Sequence, residues 1–219
     1  RRLDYANDTA ALASKGPLSG SARYKGATGN ANYGYYNTGA AGSGSNGSGI
    51  DRLDYSSDTS TATPKGPLSN STTTNTAATG DTSYGYFGGR SSGYPLNNWY
   101  STVDRIDYAN DTATASPKGP LSQQRYSCMA FSGKENGIAK LVPTVLAPVQ
   151  PPFPFPVQLP APGPSMGYFA AGSPGPGWNA FSGIDRIQFS NDTATASPKG
   201  ALTASKYAMS GCGTMEYGY

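Results

Sequence analysis

The sequence predicts an all-β protein built of four repeats of about 50 residues, and three observations carry that expectation. The first is self-similarity. Arg2-Leu-Asp-Tyr-Ala-Asn-Asp-Thr-Ala recurs from Arg52, Arg105 and Arg186, each copy followed by Lys-Gly-(Pro/Ala)-Leu at Lys15, Lys65, Lys118 and Lys199. A fixed period of this size marks a repeat architecture in which each unit buries its apolar face on a neighbour. The second is period-two alternation. Leu53 and Tyr55 flank Asp54, and Ile106 and Tyr108 flank Asp107, as in a half-buried strand. The third is punctuation, since 29 glycines and 18 prolines in 219 residues leave little room for long helices.

Within each unit the elements follow in order. The Arg-x-Asp-Tyr segment makes a first strand, and the Asn110-Asp111 pair with its equivalents makes a turn, because Asn and Asp tolerate left-handed geometry and cap themselves. The Thr112-Ala-Thr114-Ala run reads as a short return strand, and Ser-Pro-Lys-Gly-Pro after Ala115 as a loop, since proline removes ladder donors. Arg23-Tyr24 and Arg125-Tyr126 begin a third strand, Thr28-Gly29-Asn30 and Thr79-Gly80-Asp81 supply another turn, and Tyr33-Gly-Tyr-Tyr, Tyr84-Gly-Tyr-Phe, Met166-Gly-Tyr-Phe and Tyr217-Gly-Tyr form a fourth. Four short strands in about 50 residues is the size of one propeller blade.

The units run over residues 1–50, 51–103, 104–184 and 185–219 of a single domain, with starts 50, 53 and 81 residues apart. The long interval holds a Pro-rich arm at 143–164, with nine prolines in 22 residues. The chain opens on the first strand and closes on the last Tyr-Gly-Tyr, so an N-terminal hairpin can complete a sheet that a C-terminal hairpin leaves open. The expected architecture is therefore a small propeller-like ring, with an open repeat stack or fibre as the alternative.

Composition narrows the function. Leu, Ile, Val and Phe number 28, too few for a thick aliphatic core, while 25 aromatic residues supply thin, area-rich layers instead. Lys and Arg total 16 against 13 acidic residues, a balance that does not suggest a nucleic-acid partner. There is no histidine, which removes His-based acid/base and nucleophilic catalysis and the commonest metal ligand. No apolar run reaches the roughly 18 residues of a membrane span. Arg1, Arg2, Leu3 and Asp4 have no signal-peptide pattern, and the start in mid-motif suggests a processed product or one portion of a longer polypeptide.

Candidate sites are few. Asp8, Asp58, Asp111 and Asp192 offer hard oxygens for Ca²⁺, but one carboxylate per turn falls far short of six to eight ligands, and turn capping explains the motif. Sequons stand at Asn7, Asn46, Asn70, Asn110 and Asn191, three of them in one repeat column. Arg52, Arg105 and Arg186 beside Asp51, Asp104 and Asp185 suggest a ladder of contacts between units rather than a ligand ring. Cys128 and Cys212 make no metal motif and read as one disulfide, two thiols or buried apolar residues. Phe153 and Phe155 lie in the Pro-rich arm, and residues 141–159 carry nine of the 28 large aliphatic and Phe residues, so an ordered interaction arm is expected. No catalytic, cofactor or metal residue is assigned.

The segment Asp104 to Ser122, together with Gly85-Tyr-Phe-Gly-Gly89, resembles the tandem repeats of virion structural proteins from tailed phages of aquatic bacteria, cyanophages among them. The order of a Gly-Gly after an aromatic strand, an Asp-bearing strand, Pro-Leu and Arg is more distantly similar to kelch propeller repeats, with the doublet kept at Gly88-Gly89 alone. The phage resemblance implies a non-enzymatic particle component, tail or capsid associated, that contacts copies of itself, other virion subunits or host surface glycans, without cofactor, nucleic acid or membrane. The alternative is an extracellular fibre-forming protein carrying glycans. Either places it on a virion or outside a cell.

Overall fold

The computed structural model describes the chain except residues 5, 8, 21–24, 39–46, 71–74, 93–97, 134–164, 176–178 and 214–217. The fold is all-β, and the only helical elements among the described residues are three 3-10 turns of three residues each. Three four-stranded antiparallel sheets follow one another along the chain. The first comprises β1 (Ala27–Gly29), β2 (Tyr33–Asn37), β3 (Ile50–Asp54) and β4 (Thr63–Lys65), side by side in that order. The second comprises β5 (Ala77–Gly80), β6 (Tyr84–Gly88), β9 (Val103–Asp107) and β10 (Ser116–Lys118), with the small hairpin β7 (Arg90–Ser92) and β8 (Asn98–Tyr100) inserted between its middle strands. The third comprises β11 (Met129–Ser132), β12 (Met166–Ala170), β13 (Phe181–Gln188) and β14 (Ser197–Lys206).

Each sheet joins the Tyr-Gly-Tyr hairpin of one sequence unit to the Arg-x-Asp hairpin of the next, and the register repeats. Tyr35 pairs with Arg52, Tyr86 with Arg105 and Tyr168 with Arg186. Two half-sheets remain at the chain ends. Arg2 bridges Ala13 in the register of Arg52 with Thr63, and Gly213 bridges Gly218 in the register of Gly29 with Gly34. No ladder joins one half-sheet to the other among the described residues.

The Thr-Ala-Thr-Ala run is not the return strand; that strand is Ser-Pro-Lys in the second sheet and Thr-Pro-Lys in the first. Both are edge strands, where a proline needs no neighbour on its outer side. The turn is also not left-handed. Asp54 and Asp107 cap it by accepting from the Ser56 and Ala109 amides, and Asp58, Asp111 and Asp192 have φ of −70°, −75° and −79°. Thr28-Gly29 and Thr79-Gly80 belong to strands, with the turns starting at Asn30 and Asp81. Of the third-strand starts, Arg23-Tyr24 lie outside the described residues, and strand β11 opens at Met129, three residues after Tyr126.

The core lies between successive sheets rather than within one. Tyr35, Ile50, Leu68, Phe87, Ile106 and Ala115 fill the space between the first and second. Tyr86, Val103, Leu121, Phe169, Ile187, Phe189 and Cys128 fill that between the second and third. The first strands lie side by side, β1 next to β5 and β5 next to β11. The segments entering β5, β11 and the C-terminal half-sheet carry a recurrent left-handed residue, Asn75, Ser127 and Ala208 at φ of 52° to 55°, and the Ser127 and Ala208 amides donate to the Asn75 and Ser127 carbonyls. Together with Lys25-Gly26-Ala27, these segments line one open cavity of about 440 Å³.

Candidate functional site

The densest polar chemistry lies at the junctions between sheets, and one arrangement recurs three times. At the middle of it Asp111, carried by the turn of the second sheet, faces back to the first. Arg52 Nη1 donates to its Oδ2 at 2.7 Å, Lys65 Nζ lies 3.1 Å from its Oδ1, and the Tyr35 hydroxyl donates to Oδ2 at 3.0 Å. One junction on, Asp192 receives Arg105 at 2.7 Å, Lys118 at 3.7 Å and the Tyr86 hydroxyl at 3.0 Å. One junction back, Asp58 receives Arg2 at 2.8 Å and Lys15 at 2.9 Å. The guanidinium lies over an aromatic ring, Arg52 over Tyr33 at 4.4 Å and Arg105 over Tyr84 at 4.3 Å from the centroid.

The backbone repeats the clamp. The amides of Gly16, Gly66 and Gly119 donate to the carbonyls of Asp58, Asp111 and Asp192, and Ala62, Ala115 and Ala196 donate to Pro17, Pro67 and Pro120. Glycine is required at these three positions because the carbonyl of Ser60, Ala113 or Ala194 occupies the space a Cβ would take. Aromatic pairs seal the junctions, Tyr35 on Tyr108 and Tyr86 on Phe189, each with ring centroids 4.7 Å apart.

Electrostatics follow the geometry. Burial disfavours the charged form of Asp111, yet Lys65, Tyr35 and Arg52 outweigh it and hold the carboxyl below the ordinary range. At Asp58 the Lys15 hydrogen bond leads in the same direction. Burial, with the neighbouring carboxylate, pushes the Tyr35 and Tyr86 hydroxyls up. These phenols are therefore donors and stay neutral.

A second layer lies deeper. Asp51, Asp104 and Asp185 are buried and each accepts from both the amide and the hydroxyl of a serine, Ser19, Ser69 and Ser122 respectively. Arg90 at 2.7 Å and Arg125 at 2.6 Å neutralise Asp104 and Asp185. The sequence ladder of Arg52 and Arg105 thus exists, but its acceptor is the turn aspartate of the next unit rather than the adjacent Asp51 or Asp104. Arg90 and Arg125 gave no repeat signal, because the two reach equivalent carboxylates from different local segments.

The remaining sequence candidates distribute as follows. Asn7, Asn110 and Asn191 are exposed at the turns and Asn70 is half-buried, while Asn46, Phe153, Phe155 and the whole 143–164 arm lie outside the described residues, as does Asp8. Cys128 and Cys212 are free thiols, Cys128 buried and Cys212 exposed. Burial pushes the Cys128 thiol up to about 12. Among the described residues no three His, Cys, Asp or Glu side chains gather in a way that holds a metal ion. Compared with models of known protein families and with curated proteins, the sequence matches none.

Proposed function

We propose that this chain is a non-enzymatic structural element of an extracellular assembly, a component of the outer surface of a phage particle in the setting its repeat resemblance implies. The observation that supports this most is the use made of charge. At each junction one carboxylate is shared by an Arg and a Lys across two units, as Asp111 is by Arg52 and Lys65. Among the described residues these charged groups are engaged with one another and so join unit to unit. The finer architecture in this reading is a propeller-like arrangement of the blades, supported by the cavity that four equivalent entry segments share.

The Pro-rich arm at 143–164 belongs to the same proposal as a contact element toward a neighbouring subunit. The test is location. Antibody raised against the purified chain should decorate intact, gradient-purified phage particles under the electron microscope, and peptides of the chain should appear in their digests. Recovery only from the soluble lysate overturns the reading, and decoration of long uniform filaments lacking a capsid moves it to the fibre alternative.

A further inference from the structure

The three junctions within the chain show what each face of a unit accepts, and among the described residues one face of each kind has no counterpart against it. On the trailing side of the third sheet, Arg186 pairs in register with Ser197 as Arg105 does with Ser116. Arg186 and Lys199 thus repeat the clamp donors, yet neither has an ion pair among the described residues. Gly200 repeats Gly16, Gly66 and Gly119, each of which presses on a neighbour's carbonyl, but has nothing within 4 Å. On the leading side of the N-terminal hairpin, Leu12 is 46% exposed where its equivalents Ala62, Ala115 and Ala196 are 3%, 4% and 3% exposed.

Among the described residues the two faces do not meet within the chain: Gly200 has nothing within 4 Å and Leu12 stands exposed, while the other side of the hairpin is clamped to the first sheet through Asp58. We propose that the trailing face of the third sheet binds the N-terminal hairpin of a second copy of this chain, so that copies associate head to tail. This rests on the structural reading above and names its partner.

Apolar exposure and register agree with that occupant. The large hydrophobic residues exposed among the described ones are Leu3, Leu12 and Tyr55 toward the head, and Tyr207, Met209 and Tyr219 toward the tail. Leu3, Tyr36, Leu53 and Tyr55 line an open cavity of about 990 Å³. The tail hairpin has the register of a β1–β2 pair and the head hairpin that of a β3–β4 pair. Joined between copies, Gly218 and Tyr219 fall opposite Leu3 and Arg2, as Gly34 and Tyr35 fall opposite Leu53 and Arg52. That join completes a composite sheet and places Tyr219 over Tyr55 of the second copy, as Tyr35 lies over Tyr108.

The experiment is light scattering after size exclusion on the full chain over a hundredfold range of concentration, with head variant Leu12→Asp and tail variants Gly200→Val and Arg186→Glu. The wild-type mass should rise with concentration. Each variant should weaken association at least tenfold while leaving the melting temperature of the dilute monomer unchanged. Mixing Leu12→Asp with Gly200→Val should restore dimers and nothing larger, since only one competent head and one competent tail remain in the pair. A wild-type chain that stays monomeric throughout overturns the proposal, as does a monomer whose melting temperature falls in Gly200→Val, which shows closure by its own hairpin. Particle decoration is unaffected by either result, so failure here is distinct from failure of the structural reading.

Discussion

Asp104 illustrates how much one side chain holds at the residue scale. It is fully buried, accepts two bonds from Ser69 and one from Arg90, and Arg90 is itself buried. Replacing it by alanine strands a guanidinium in a dry site, so Asp104→Ala should cost about 3 to 5 kcal/mol, read by denaturant unfolding. A loss under about 1 kcal/mol contradicts the buried pairing. The two cysteines separate equally sharply. With Cys128 buried and its thiol raised to about 12, a thiol reagent at pH 8 should modify Cys212 alone in the native chain and both residues in denaturant. The sequence left a disulfide, two thiols and buried apolar residues open for Cys128 and Cys212, and the structure separates them into one buried and one exposed thiol. Burial of Cys128 depends on Gly89 and Gly172 approaching it from other segments.

At the scale of elements, the aromatic strands were readable because alternation and Tyr-Gly-Tyr spacing are local properties of β2, β6, β3 and β9. The edge strands were not, since Pro64 and Pro117 read as ladder breakers until their place at a sheet edge is known. The clamp was half legible. Arg52 and Asp58 recur together in every unit, so repetition alone cannot tell pairing within a unit from pairing between units; the structure shows Arg52 on Asp111. The junction predicts a steric result. Gly119→Ala puts a methyl group against the Ala194 carbonyl and should destabilise by about 1 to 3 kcal/mol in thermal unfolding, whereas Gly200→Ala should change the dilute monomer little. The junction also predicts a pH result. The Asp58 and Asp111 carboxyls are lowered in the folded state, so their contribution is fully present above the unfolded value near pH 4 and is lost as pH falls through the lower folded value. Unfolding midpoints followed from pH 6 to pH 2 should drop below about pH 4, and drop less in a variant carrying Asp111→Asn.

For the whole molecule, the sequence supplied the all-β class and the recurrence of its hairpins because both are written in the alternation and spacing of the motifs. It did not supply the manner in which units meet, which depends on backbone contacts such as Gly66 with Asp111 that leave no pattern beyond a single glycine. What emerges is a series of sheets whose cohesion resides in its junctions, with a matching face uncovered at either end. Cryo-electron microscopy of the native assembly that carries the chain tests this most directly. Continuous density is expected in which one copy's third sheet receives the next copy's N-terminal hairpin, with the same spacing as the junctions inside each chain. Isolated copies with both faces empty, or a single chain closed on its own hairpin, contradict it.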